Sequence, residues 1–277
     1  MTPVTEPTGA APGSMRHFAL MYAAPGSRAM LGALYAYEAE IASTVLAASH
    51  EVAHVRLRWW RGEVDRLLGG APEHPVTRAL LELRGIAGDA LALLHEPLVA
   101  ADVDLARLTF ANARELEAYC FRAAGAVQVL AAHASSLDPV LSEAEATFAR
   151  RAGSAIRRAE MLRDLRVHLA AGRLPLPLDA LERAGVAPPD LHAEPLGARA
   201  AELLEGTRAA LREELRALVD GLERACRARQ RPTLVLAALH ARLLDHVDHR
   251  AALARTRAEL PPWRKLWTAW HTARSAA

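Results

Sequence analysis

Between Ser154 and Ala171 the chain carries neither proline nor glycine, and then meets Gly172, Pro175 and Pro177 in quick succession. Ala155, Ile156, Ala159, Leu162, Leu165 and Leu169 recur there at three- and four-residue spacing, which predicts a helix with one apolar face that stops near Gly172. Threaded through it are Arg157, Arg158, Glu160, Arg163, Asp164, Arg166 and His168. A fold that buries this element must also supply partners for its charges, because an unpaired buried ion costs several kcal/mol.

The same periodicity runs through most of the 277 residues, where leucine and alanine dominate and no stretch alternates β-branched residues. Caps and breakers predict helices over Arg28–Ala48 (capped by Ser27), Glu51–Leu68 (capped by Ser49) and Pro75–Leu94. A turn follows near Asp104–Leu108, then helices over Asn112–Ala134 and from Ser142 through the charged stretch. The remaining helices are expected over Leu178–Ala184, Gly197–Arg227, Pro232–Leu260 and Trp263–Ala273. The expectation is an all-α bundle in one domain, residues 16–260, after a disordered lead-in (1–15) and before a Trp-rich terminal helix (261–277). The N-terminus lacks the basic and apolar regions of a signal peptide, no apolar run is long enough to span a bilayer, and Cys120 and Cys226 form no redox or metal motif. A cytoplasmic protein is therefore expected. Net charge is +2 with the basic residues dispersed, which argues against nucleic acid as a partner.

Three groups of side chains could carry chemistry. His50-Glu51-Val52-Ala53-His54 matches H-E-x-x-H, in which two imidazoles one turn apart bind zinc and the glutamate acts as base; Glu73 is a possible third ligand. His240, Asp245, His246, Asp248 and His249 share one predicted helix and read as a solvated polar face. Trp263, Leu266, Trp267 and Trp270 fall on one face of the last helix beside Arg264 and Lys265. That arrangement suits either a lipid headgroup layer or docking on the bundle.

Three separated segments resemble the squalene/phytoene synthase family of head-to-head prenyl synthases. The first is Leu57-Arg58-Trp59-Trp60-Arg61-Gly62-Glu63-Val64-Asp65-Arg66-Leu67 with Gly70 and His74-Pro75-Val76. The second is Tyr119-Cys120-Phe121-Arg122-Ala123-Ala124-Gly125. The third is the charged stretch itself, with Gly153, Leu162-Arg163-Asp164, Gly172-Arg173 and Leu176-Pro177. The resemblance implies an isoprenoid-synthase-like bundle in which Mg²⁺, held by two carboxylate clusters on facing helices, assists departure of an allylic diphosphate.

This sequence departs from that pattern at the metal positions. After Leu34-Tyr35-Ala36-Tyr37, the first aspartate positions fall on Ala42, Ser43 and Leu46. In the second region Asp164 remains, but its partner position is His168, and Arg157 and Glu160 replace the preceding amides. Glu38 and Glu40 are substitute carboxylates, or salt-bridge partners for the arginines. By resemblance, Tyr35, Tyr119, Arg157, Arg163 and Arg173 would face a substrate, and Asp164, His168, Glu38 and Glu40 are vestiges of a catalytic set. The run Tyr37-Glu38-Ala39-Glu40-Ile41-Ala42 is similar to a divergent branch that includes a non-catalytic respiratory complex I assembly factor.

The resulting expectation is a non-catalytic accessory or assembly protein without a cofactor, peripheral at the inner membrane through Trp263, Trp267 and Trp270. Its partner would be a respiratory-complex subunit or an isoprenoid or lipid diphosphate. The alternatives are an active Mg²⁺-dependent prenyltransferase and, more remotely, a zinc peptidase using His50 and His54.

Overall fold

The computed structural model describes residues 9–46, 49–107, 109–138, 140–247 and 258–276. The chain begins with α1 (Met15–Leu20), α2 (Pro25–Val45) and α3 (His50–Leu68). Helices α4 (Pro75–Ala79) and α5 (Leu81–Ala87) pass through a 3-10 stretch (Gly88–His95) into α6 (Glu96–Leu105). Helix α7 (Ala113–Cys120) continues through a π-turn (Phe121–Gly125) into α8 (Ala126–Ser136). Then come α9 (Glu143–Arg163), α10 (Leu165–Ala170) and α11 (Leu178–Ala184). The bundle is completed by α12 (Ala198–Gly221), α13 (Arg224–Arg227), α14 (Arg231–Leu244) and α15 (Pro262–Ser275). No strand occurs among the described residues.

Helix α9 is the central element, packed against α7, the π-turn, α8, α12 and α14. Its start is fixed by a capping box: the Ser142 hydroxyl accepts the Glu145 N–H, and the Glu145 carboxylate accepts from Ser142. The main core joins Leu31, Leu34 and Tyr35 of α2 to Leu130 of α8, Ile156 of α9 and Leu234 and Leu239 of α14. A smaller cluster of Ala100, Phe110, Leu116, Tyr119, Cys120 and Met161 closes one end.

The family-like segments have structural roles. Trp60 is buried edge-on to Tyr37 and His74, with ring centroids 5.5 and 4.9 Å away. The fully buried Glu63 carboxylate accepts the Glu73 and His74 N–H groups at 2.8 Å each, and the Thr77 hydroxyl. Burial would raise its pKa, but the Thr77 hydroxyl, the His74 and Glu73 amides and Arg66 outweigh that and hold it at about 2.

Several helix boundaries differ from those read in the sequence. The predicted Ser154–Ala171 helix breaks at Asp164, whose backbone (φ −97°, ψ 19°) separates α9 from α10. The expected 75–94 helix is divided at Leu80 and again at Gly88, whose φ of +53° favours glycine. Pro97 sits in the first turn of α6, where its missing N–H interrupts nothing, and Asp104 belongs to that helix rather than to a turn. Helix α2 starts at Pro25, and Ser27 donates to the Ala24 carbonyl instead of capping. The expected Gly197–Arg227 helix leaves helical geometry at Leu222, where ψ reaches 129°. The Pro232–Leu260 prediction holds to Leu244, with residues 248–257 outside the described set. Of the lead-in, residues 1–8 also lie outside it. At its end, Gly9 donates to the Gly32 carbonyl at 3.3 Å and Ala10 is buried.

Gly125 and Gly153 let the π-turn and α9 approach closely. A Cβ on Gly153 would lie 2.6 Å from the Gly125 Cα and 2.9 Å from the Ala124 carbonyl oxygen, both backbone atoms. Gly153→Ala is therefore expected to destabilise the fold by about 1–3 kcal/mol, measured by urea denaturation against Gly197→Ala, where no atom lies within 4 Å.

Candidate functional site: a charged partition in the bundle

Six helices, α1, α2, α6, α7, α9 and α14, and the segment after α10 bring polar side chains together. Helix α1, anchored by buried Phe18, Ala19 and Leu20, carries Arg16 inward. Arg16 donates to Glu38 of α2 at 2.9 Å and lies 3.6 Å from Glu160 of α9. The Arg157 guanidinium, one turn before Glu160, donates to the Tyr119 hydroxyl at 2.7 Å and lies 3.8 and 3.9 Å from Asp104 and Glu160. Tyr119 in turn donates to Asp104, 3.0 Å away. Arg173 approaches Asp104 from the other side at 3.5 Å. His240 of α14 completes the group: its Nδ1 is bonded to the Leu236 carbonyl, and its Nε2 is 3.7 Å from Glu160.

Burial opposes the charge on both Arg16 and Arg157, yet their acidic neighbours outweigh it and raise both pKa values. For Arg157 the Tyr119 oxygen is the first of these neighbours. Glu160 is disfavoured by burial but held well below the usual carboxylate range by Arg16, His240 and Arg157. Glu38 is shifted upward by burial, which its contact with Arg16 does not fully offset, while Glu160 adds a like charge.

This network is a partition. A cavity of about 280 Å³ includes Arg16, Arg157 and Glu160 in its wall, together with Arg163, Asp164 and Lys265. A second, of about 140 Å³, is bounded by the same three residues, with Glu38, Ala42 and Asp104. Asp104 also borders a shallow outer cavity of about 580 Å³, lined by His50, Leu46 and Arg173.

The structure brings some of the sequence candidates together and separates others. Glu38, Tyr119, Arg157 and Arg173 join the network. Tyr35 is buried below it, its ring 5.6 Å from the Arg16 guanidinium. Glu40 parts from Glu38: its side chain is 42% exposed against 9%, and it lies 4.0 Å from Arg56. Asp164 receives both Nε and Nη2 of Arg163, at 2.9 and 2.6 Å. His168 is buried, and its pKa is depressed to about 4 by burial first and then by Arg157 and Arg173. His50 and His54 are exposed, with Nε2 atoms 2.9 Å apart. Arg16, Asp104 and His240 were not singled out for this site. His240 corrects the solvated-face reading, for it is fully buried; its signal was its place four residues after Leu236 on the apolar side of α14. His246 stays half-buried on that helix's end, and Asp248 and His249 fall outside the described residues.

These donors do not fit Mg²⁺, which demands several oxygen ligands in near-octahedral geometry. Ala42 and Leu46 offer no donor, Ser43 donates its hydroxyl to the Glu40 carbonyl, and guanidinium groups hold the carboxylates that remain. Among the described residues no three His, Cys, Asp or Glu side chains are placed to hold a metal, the His50/His54 pair included.

The fold has solved counterparts. A dehydrosqualene synthase crystallised with a ligand superposes with a TM-score of 0.81, covering 94% of this chain and 90% of its own, at 18% identity. The squalene synthase HpnC from Alicyclobacillus acidocaldarius gives 0.65 over 82% and 86%, at 21% identity. A presqualene diphosphate synthase from Zymomonas mobilis is 28% identical over 174 residues, 58% of this chain and 55% of that protein. The sequence profile of the squalene/phytoene synthase family matches residues 11–264. The chain belongs to that family and has its isoprenoid-synthase-like, all-α fold.

Proposed function

We propose that this family member is a non-catalytic accessory protein, in which arginine–carboxylate pairing has replaced metal-assisted diphosphate ionisation. One observation carries the reading: Arg16, Glu38, Glu160, Arg157 and Asp104 span the interior as a continuous ion-paired wall. Two prenyl chains need apolar walls, and Arg16, Arg157 and Glu160 line both adjoining cavities with ion-paired side chains instead. Isoprenoid or lipid diphosphates are the ligand class suited to its guanidinium groups without metal. A respiratory-complex subunit is the partner class to which the Tyr37–Ala42 pattern points.

The competing reading is an active prenyltransferase condensing allylic isoprenyl diphosphates. Family membership supports it, as do the three carboxylates Glu38, Asp104 and Glu160 on one cavity. Incubation with farnesyl or geranylgeranyl diphosphate and Mg²⁺ separates the two. Pyrophosphate release is expected to match the protein-free background. Release above it that disappears in Asp164→Asn and Glu160→Gln would overturn the non-catalytic assignment.

A further inference from the structure

Helix α15 is docked the wrong way round for a helix that only completes a bundle. Its inward face consists of Ala269, Thr272, Ala273 and the Lys265 stem, all buried. Its large apolar residues point outward: Trp263 is 65% exposed, Leu266 49%, Trp267 61% and Trp270 41%. Burying these residues would be worth far more than burying alanines, so the orientation leaves a strongly apolar stripe without a partner in the chain. Helix α15 packs on α14 and α1 through small residues, which settles the alternative raised by the sequence, that the tryptophan face itself docks on the bundle. The family match ends at residue 264, near the start of this helix.

The surroundings of the stripe indicate what covers it. The Arg264 guanidinium lies 5.0 Å from the Trp263 ring and that of Arg274 5.5 Å from Trp270. Beside Trp267 and His271 a groove of about 250 Å³ contains Arg216 and Arg242, with Asp220 as its acidic residue. Arg242 pairs with Asp245 at 3.2 Å, Arg216 with Glu213 at 3.1 Å and Asp245 at 3.5 Å, and Arg212 shares both of these acids at 3.0 and 3.3 Å. Five arginines (Arg212, Arg216, Arg242, Arg264 and Arg274) against the three carboxylates of Glu213, Asp220 and Asp245 leave this face positive. Tryptophans and basic groups on one amphipathic surface match the headgroup layer of an anionic bilayer, where indole rings occupy the interface and guanidinium groups meet phosphates. No helix among the described residues is long and apolar enough to cross a membrane, so contact would be peripheral.

We infer that the outward face of α15, through Trp263, Leu266, Trp267 and Trp270 with Arg264 and Arg274, docks this protein on an anionic phospholipid surface. Flotation of the full chain with vesicles tests it. Binding is expected with phosphatidylcholine plus phosphatidylglycerol, with a blue shift of tryptophan emission, and is expected to weaken at about 1 M salt, where screening is nearly complete. Trp267→Ala with Trp270→Ala should reduce partitioning at least about tenfold, and Arg274→Gln roughly fivefold. Both changes are on exposed side chains, and coincident thermal melts would separate lost binding from lost folding. Should the double variant fail to fold, Leu266→Ser provides the same comparison. The inference is overturned if wild-type protein ignores anionic vesicles, or if the folded variants float as well as wild type. It is equally overturned if sedimentation shows a dimer that Trp267→Ala abolishes, which would make a second copy the occupant.

Discussion

Arg157→Met is expected to lower the stability of the fold by about 3 kcal/mol, at the lower end of what breaking a buried ion pair costs, because the side chains involved keep some contact with solvent. In Tm this is a fall of roughly 6–12 °C for a chain of this size. The loss arises from what remains rather than from the missing contacts. Asp104 and Glu160 stay in place with their nearest shared cation removed, and the Tyr119 hydroxyl loses the donor 2.7 Å away. Asp104→Asn made in the Arg157→Met background should recover part of the loss, since it removes one of the two carboxylates left with fewer cations, Asp104 keeping Arg173 and Glu160 keeping Arg16; a double-mutant cycle isolates that coupling. The result bears on function. An arginine held ready for a diphosphate is a local liability in the unliganded protein, so its removal should be neutral or stabilising. Arg157→Met at or above wild-type stability would therefore count against the structural partition and favour a ligand-binding cavity.

The fold was legible because its signals are local and agree with one another. Ser49, Asn112 and Ser142 each cap the helix they were read to start, and leucine and alanine at helical spacing fill the core. The end of α9 was not legible. Arg163 and Asp164 are ordinary helix residues in sequence, and nothing short of the tertiary arrangement announces that the chain turns there. The site was legible in part. Arg157 stood out because it puts charge on a helix that must be buried, and Tyr119 because it opens a segment that resembles the family. Asp104 fell at an expected turn, and Arg16 sat just after an expected disordered lead-in. Their roles depend on α1 and α6 converging on α9 from distant parts of the chain, a juxtaposition that periodicity does not encode. Glu38 and Glu40 show the same limit at shorter range: two residues apart on a helix, they must face different directions, and only packing reveals that Glu38 is the inward one.

His168, at the position where the family resemblance places a second carboxylate, reports the local field. It should remain neutral in the folded protein down to a pH of about 4, because burial and the guanidinium groups of Arg157 and Arg173 disfavour its protonation, with Asp164 opposing them only in part. In the unfolded chain the same imidazole takes up a proton below about 6.5. Between those values the unfolded state binds more protons, so stability falls as the pH falls. The contribution is complete above about 6.5 and is lost progressively down to about 4, where it has cost about 3 kcal/mol. Glu63 and Glu145, both held at about 2, add their own loss in a lower window, beginning near the ordinary carboxylate value. His168→Gln should flatten the slope between 6.5 and 4 and leave the lower window unchanged, which urea melts across that range would reveal. An NMR titration provides the direct measurement. A His168 midpoint near 4 that millimolar Mg²⁺ does not move is the expected result. A midpoint at or above 6.5, shifting on addition of Mg²⁺, would mean that the site tolerates positive charge after all. A position that resists one proton is a poor host for a dication, and for this reason the titration of a single side chain tests the argument against the ancestral metal chemistry.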